Sequence, residues 1–233
     1  MRLETYLTEY NEALIARLRK EELIDELCKN IKQDCKYFLS ILKPLKNTDV
    51  LYRGMTTGAG AAGKKEVRQD REPKGMPIHH AKALNQFLVA NKHVDRSKAM
   101  LATSNEAIAA IFGRVYYVFP IGKFNYTWFN SKKESDVNFD YLFKRALEEY
   151  EKRGRILSIL HNSKSGKNFS KDIKQQEEWR NKAENELKPY FITNKRINAA
   201  LREGKEIWFD CKSYYYIYQD WISAADLKEK LFS

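Results

Sequence analysis

The sequence predicts an α+β fold, with a helical N-terminal region at 1–46 and a mixed domain at 47–233. Three observations point there. Apolar residues recur at three- and four-residue steps early in the chain (Leu3, Tyr6, Leu7, Tyr10, Leu14, Leu18, then Leu23, Ile24, Leu27 and Ile31), which is the spacing of one helix face. Beyond residue 46 the apolar segments are short and rich in Tyr, Phe and Val, as strands are. Those segments do not alternate regularly with helices, which disfavours a doubly wound parallel sheet.

The elements follow in order. The helical pattern continues through "DCKYFLSILKPLKN" until Pro44 and Asn47 stop it. "DVLYRGM" is a short apolar strand, and "TTGAGAAGKK" reads as a small-residue lid. "EVRQDREPKGMP" is charged and interrupted by Pro73 and Pro77, hence irregular. "IHHAKALNQFLVANKHV" returns to helical spacing, "SKAMLATS" is a strand, and "NEAIAAIFG" is a short helix closed by Gly113. "RVYYVFPIGKFNYTWF" supplies one or two strands around Pro120, Ile121 and Gly122. A long helix is expected near Phe139 to Leu160, followed by a polar stretch. "KEIWFDCKSYYYIYQDW" gives one or two aromatic strands, with Tyr214, Tyr215 and Tyr216 alternating between core and surface. "SAADLKEKLFS" is a capped terminal helix.

Composition narrows the function classes. Apolar residues make up 43% and aromatics 13%, as in a globular chain. No run approaches the roughly 18 apolar residues of a membrane span, and acids stand in "MRLETYLTEYNEAL" where a signal peptide is apolar. Cys28, Cys35 and Cys211 are an odd number without a C-x-x-C pair, so a disulfide framework and a zinc site are both disfavoured. A cytoplasmic setting and no metal are the expectations. Lys and Arg exceed Asp and Glu by 42 to 31, a formal charge of +11. That surplus favours nucleic acid, a nucleic-acid-bound protein or an anionic small molecule as partner; a basic surface with no special partner is the alternative.

Gly58 to Lys64 fit G-x-x-x-x-G-K, the phosphate-loop pattern. The position that should carry a magnesium-binding hydroxyl is Lys65, and Pro73 follows too soon for the required helix. Arg53 is the better candidate, a guanidinium at the end of a short strand, followed by Gly54. Thr103 and Ser104 stand at the end of a later strand, and Glu206 opens another. His79 and His80 are adjacent on a helix and face different directions, so they do not form a metal site. Cys211 has no His positioned near it in sequence.

Arg on one strand, x-T-S on a second and Glu opening a later one resemble the R-S-E signature of ADP-ribosyltransferases. The chain is similar in particular to poorly characterised ADP-ribosyltransferase-like proteins of bacteriophages, over residues 50 to 216. "RQDREP" and "VFPIG" also resemble such phage proteins, with no chemistry attached. The resemblance implies a split β-sheet core and an NAD-dependent mono-ADP-ribosyltransferase acting on a host macromolecule in the bacterial cytoplasm, protein or nucleic acid, with release of nicotinamide. It implies Arg53 on the pyrophosphate of NAD, Gly54 allowing close approach of the nicotinamide amide, Thr103 and Ser104 orienting ribose and glutamate, and Glu206 as the catalytic carboxylate. Tyr116, Tyr117 and Phe124 are candidates to pack the nicotinamide. Two departures stand out: Ala102 replaces the first Ser of Ser-Thr-Ser, and Gly204 stands where enzymes that modify arginine carry Glu or Gln. A catalytically inactive nucleic-acid- or host-protein-binding phage protein with the same fold is the alternative. Each residue also has an ordinary reading: Arg53 in a surface ion pair, Ser104 as a helix N-cap, Glu206 as a strand-edge charge.

Overall fold

A computed structural model describes residues 2–45, 50–56, 59–69, 71, 78–130, 185 and 188–233, with side chains from residue 14 onward in the first helix. The helix expected near Phe139 to Leu160 and the polar stretch after it lie outside the described residues, apart from the helical backbone at 185.

Helices α1 (Arg2–Asp34) and α2 (Lys36–Leu42) lead, separated at Cys35. Strands β1 (Tyr52–Met55) and β2 (Ala62–Glu66) follow, then α3 (Ile78–Ala90), β3 (Met100–Thr103), α4 (Glu106–Ala110), β4 (Arg114–Pro120) and β5 (Asn125–Phe129). After the undescribed segment come β6 (Phe191–Thr193), α5 (Ile197–Arg202), β7 (Glu206–Asp210), β8 (Ser213–Tyr218) and α6 (Ala224–Phe232). The strands form one sheet in the order β2-β8-β4-β1-β3-β7-β5-β6, with every pairing antiparallel. The fold is α+β with an N-terminal helical region.

Both faces of the sheet are covered over β7. Ile207 and Phe209 join a large core with Ile24, Ile31, Phe38 and Leu42 of the N-terminal helices and Leu227 of α6. Phe38 meets Phe119 and Phe209 edge-on, at 6.3 and 6.2 Å between ring centroids. Between Ile207 and Phe209, Trp208 points the other way, into a second cluster with Leu84, Phe87 and Leu88 of α3. Strands covered on two faces read as unbroken apolar runs, which is why "IWF" shows no alternation. The same holds for Tyr214, Tyr215 and Tyr216. All three are buried, so their alternation is between two covered faces and not between core and surface.

The buried Lys228 of α6 donates to the carbonyls of Leu42 (3.5 Å) and Leu45 (3.2 Å) at the end of α2. The Leu42 carbonyl also accepts from Leu45 N–H at 3.0 Å, and a helix C-terminus favours a cation.

The expected lid is corrected in part. Ala62 to Glu66 form β2, in register with β8 from Ala62–Ile217 to Glu66–Ser213. Small side chains with weak strand propensity are held there by the aromatic strand beside them. A Cβ on Gly63 would stand 3.1 Å from the Tyr216 hydroxyl, and the Lys64 ammonium lies 5.7 Å from the centre of the Tyr215 ring. Strand pairing of Gly63 to Lys65 also removes the phosphate-loop reading, which requires a helix to begin there.

Helix α4 lies directly on β1, and Gly54 is what permits it. A Cβ at Gly54 would fall 2.0 Å from the Ala109 carbonyl oxygen and 2.8 Å from Phe112 Cβ. Neither neighbour is the movable end of a long side chain, so α4 itself must shift. Gly54→Ala is expected to cost about 3 kcal/mol, the upper range for overpacking. In a chain of this size that lowers the Tm by roughly 10 °C, readable by calorimetry or circular dichroism. An unchanged Tm would show that α4 does not press on β1.

Candidate active site

The three strands that carry the sequence-predicted residues are neighbours in the middle of the sheet, in the order β1-β3-β7. Their register aligns Tyr52 with Thr103 and Thr103 with Glu206. Arg53 follows Tyr52, so the backbones of Arg53 and Glu206 stand two strand spacings apart, about 10 Å. The β1–β3 ladder consists of the single pair Tyr52–Thr103, whereas β1 pairs with β4 from Tyr52–Tyr117 to Met55–Arg114. The two halves of the sheet are thus joined by one pair and part beside it, leaving Arg53 and Gly54 on one lip and Ser104 on the other.

Glu206 is positioned from its N-terminal side by the end of α5. Lys205 N–H donates to the Ala200 carbonyl (3.0 Å) and Gly204 N–H to that of Leu201 (3.3 Å), with Gly204 left-handed at φ +66°. These are the two bonds of a Schellman turn, for which glycine is the favoured residue. A Glu or Gln at this position would be strained in such a turn. Both hydroxyls at the end of β3, on Thr103 and Ser104, fasten the same corner. Thr103 Oγ1 donates to the Gly204 carbonyl (3.0 Å) and accepts from Asn105 N–H (3.1 Å), and Ser104 Oγ donates to the Leu201 carbonyl. Asn105, not Ser104, is the N-cap of α4, its Oδ1 accepting from Ile108 N–H. Ser104 is therefore free of the capping role and spent on the α5–β7 corner. Ala102 is buried opposite Ile207 on the apolar side.

The Glu206 carboxylate accepts from Trp208 Nε1 at 2.6 Å and from Arg96 Nε and Nη2 at 3.4 and 3.3 Å, all at Oε1. Arg96 lies in a 3-10 turn, Arg96–Lys98, capped by Asp95, whose Oδ1 accepts from Ser97 N–H (3.0 Å) and Oγ (2.6 Å). Its guanidinium carbon is 5.8 Å from the centre of the Trp208 ring. On β1, Arg53 Nη1 donates to the Leu101 carbonyl at 2.7 Å, and its guanidinium lies over the Tyr214 ring at 5.5 Å. Tyr116 is its register partner on β4. Arg53 is thus in no surface ion pair among the described residues, and its Nε is buried without a hydrogen-bond partner.

Arg71, within "RQDREP", completes the group. Its backbone N–H donates to the Ser97 carbonyl (3.2 Å), and its Nη1 is buried without a hydrogen-bond partner. Burial, with the Arg53 and Arg96 guanidiniums adding to it, pushes Arg71 down to about 10, while Glu206 and Tyr214 pull the other way. It remains a cation at neutral pH. Arg71, Arg96 and Trp208 belong to no part of the three-part pattern, so the sequence gives them no role. "RQDREP" was the only signal, and it came without a role.

The other candidates fall elsewhere. Tyr117 and Phe124 are packed in the core. The side chains of His79 and His80 lie outside the described residues. No group of three or more His, Cys, Asp or Glu able to hold a metal occurs among the described residues. A cleft of about 420 Å3 lined by His93, Asp95, Asn125, Thr193 and Asp210 sits at the far end of β7 and contains none of Arg53, Ser104 or Glu206.

Two predictions follow from this geometry. Thr103→Val leaves the Gly204 carbonyl and the Asn105 N–H unpaired, which costs about 1–3 kcal/mol in urea unfolding; a variant as stable as wild type would separate Thr103 from the corner. Burial raises the thiols of Cys28 to about 11 and of Cys35 and Cys211 to about 12. Since the thiolate is the nucleophile, native protein at pH 8 is expected to resist alkylation by iodoacetamide, with all three thiols reacting in denaturant. Rapid native labelling at Cys211 would revive it as a nucleophile.

Compared with protein-family models, curated proteins and solved structures, the chain matches none of them.

Proposed function

We propose that the protein is an NAD-dependent mono-ADP-ribosyltransferase, transferring ADP-ribose to a macromolecule and releasing nicotinamide. The observation that carries this reading is the convergence of Arg53, Ser104 and Glu206 on three adjacent strands, at the place where the sheet parts. The sequence pattern that singles the three out carries no information on which strands are neighbours.

The residues present suit a dinucleotide. A buried guanidinium nitrogen without a partner, on Arg53, is matched by an anionic oxygen of a diphosphate, and a planar fork suits that group better than an ammonium. Glu206 sets a carboxylate, fixed by Trp208, beside the ribose carbon from which nicotinamide departs with the bonding electron pair. Positive charge then grows on the sugar, and a pre-placed negative charge stabilises it, as in glycoside hydrolysis. The acceptor adds to that carbon and gives up its proton. Thr103 and Ser104 serve by holding the corner from which Glu206 projects. Gly204 fits no acidic side chain, so an arginine acceptor is not part of the proposal. The net charge of +11 favours a nucleic acid, or a protein bound to one, in a bacterial cytoplasm.

The test is nicotinamide release and transfer of label from labelled NAD to bacterial lysate, with and without nuclease, for wild type and Glu206→Gln. The variant is expected to lose at least about a thousandfold in rate at unchanged Tm, the scale of removing a preorganised charge from a transition state. Equal release by both would remove Glu206 from the chemistry. Absence of release by wild type, with no NAD binding, leaves the non-catalytic binding protein as the reading.

A further inference from the structure

Among the described residues, three guanidiniums, on Arg53, Arg71 and Arg96, gather near the carboxylate of Glu206. One diphosphate-binding arginine does not require the other two. Their placement is specific. Arg53 is anchored to the Leu101 carbonyl, and Leu101 is the register partner of Trp208, over whose ring Arg96 lies. Arg71 is tied through its backbone to the turn that bears Arg96. Arg53 Nε and Arg71 Nη1 both end buried without a hydrogen-bond partner, a costly state for a cation unless an anion completes it.

Among the described residues, Arg96 is the one of the three paired with a carboxylate, and it holds it loosely. Its bonds to Glu206, 3.3 and 3.4 Å, are longer than a good charge-assisted bond of about 2.7–2.9 Å. Trp208 holds the same oxygen at 2.6 Å and does not depend on Arg96.

We infer that Arg96 is a transferable arm: with no anion present it rests on Glu206, and a diphosphate gripped by Arg53 and Arg71 draws it away, baring the carboxylate. This rests on the transferase reading for its natural ligand, the diphosphate of a dinucleotide. The site thereby presents an unpaired carboxylate only when the donor is seated. Arg71 is a binding residue that the three-part pattern does not contain. Arg96 is a positioning residue that acts through Glu206.

Linkage makes the inference measurable without any turnover. If Glu206 and the anion compete for Arg96, removing the carboxylate's charge must strengthen anion binding. The experiment is calorimetric titration of the full chain with inorganic pyrophosphate at low salt. Arg71→Gln is expected to weaken binding about tenfold, the loss of a charge-assisted pair. Arg71→Lys, which keeps the charge and guards against misfolding, is expected to fall between it and wild type. Glu206→Gln is expected to tighten binding severalfold. Arg17→Gln, which removes the same charge from the exposed face of α1, is expected to leave the Kd within about twofold, as a screened surface charge should.

Equal weakening by Arg71→Gln and Arg17→Gln would overturn the pocket, leaving only a basic surface. An unchanged or weakened Kd in Glu206→Gln would overturn the arm. The outcome is separable from that of the proposed reaction. Pyrophosphate binding with this pattern but no nicotinamide release keeps the pocket and sinks the transferase. Nicotinamide release with an unchanged KM for NAD in Arg71→Gln does the reverse.

Discussion

One cross-strand pair, Tyr52 with Thr103, joins the two halves of the sheet, and the candidate site exists because nothing extends that pairing further. Antiparallel strands ordinarily continue to pair while both have residues to offer. Here β1 carries on along β4 as far as Met55, and β3 along β7 as far as Met100. Beyond that pair, β1 and β3 no longer bond to each other. The halves cannot drift, because α1 and α2 bury Ile31, Phe38 and Leu42 in a core shared by Leu51, Phe119 and Phe209, which come from both sides of the seam. A seam braced in this way is rigid.

Rigidity is also what the hydroxyls contribute. Thr103 and Ser104 end on the carbonyls of Gly204 and Leu201, so the strand on one lip holds the corner from which Glu206 leaves on the next strand. Two independent restraints then act on the carboxylate: the backbone corner fixes where the side chain starts, and Trp208 Nε1 fixes where it ends. Trp208 is itself immobilised among Leu84, Phe87 and Phe191. A preorganised charge is useful to a cationic transition state because it need not reorient when the charge appears.

Much of this was legible in the sequence, for identifiable reasons. Strong periodicity placed α1, α2 and α3, and aromatic runs placed β4, β5, β7 and β8. Strand β2 was missed because Gly63, Lys64 and Lys65 have no strand preference of their own; their partner Tyr214–Tyr216 supplies it. Strand β6 is only three residues, Phe191 to Thr193, too short to show a period. The order Arg53, Ser104, Glu206 was readable, but the adjacency of their strands was not, since it depends on a crossover that sequence does not announce. Gly54 was read as room for a ligand, and its nearest constraint is the Ala109 carbonyl of α4. Arg71 and Arg96 were invisible because they act through position: one is held by Ser97, the other aimed by the Asp95-capped turn.

The energetics of the arginine group explain why Arg96 rather than Trp208 is the partner that moves. An ion pair whose side chains stay 21% and 34% exposed, as in Arg96 and Glu206, contributes about 0–1 kcal/mol. A buried Nη1 of Arg71 without a partner costs more than that, about 1–3 kcal/mol. Trading the first for relief of the second is favourable whenever an anion bridges both arginines. The indole bond offers no such exchange, since its donor carries no charge, the bond is short and the ring is packed against α3. Charge therefore does the switching in this site and hydrogen bonding to Trp208 does the holding. The carboxylate that emerges is placed where it was before, with its cationic neighbour withdrawn.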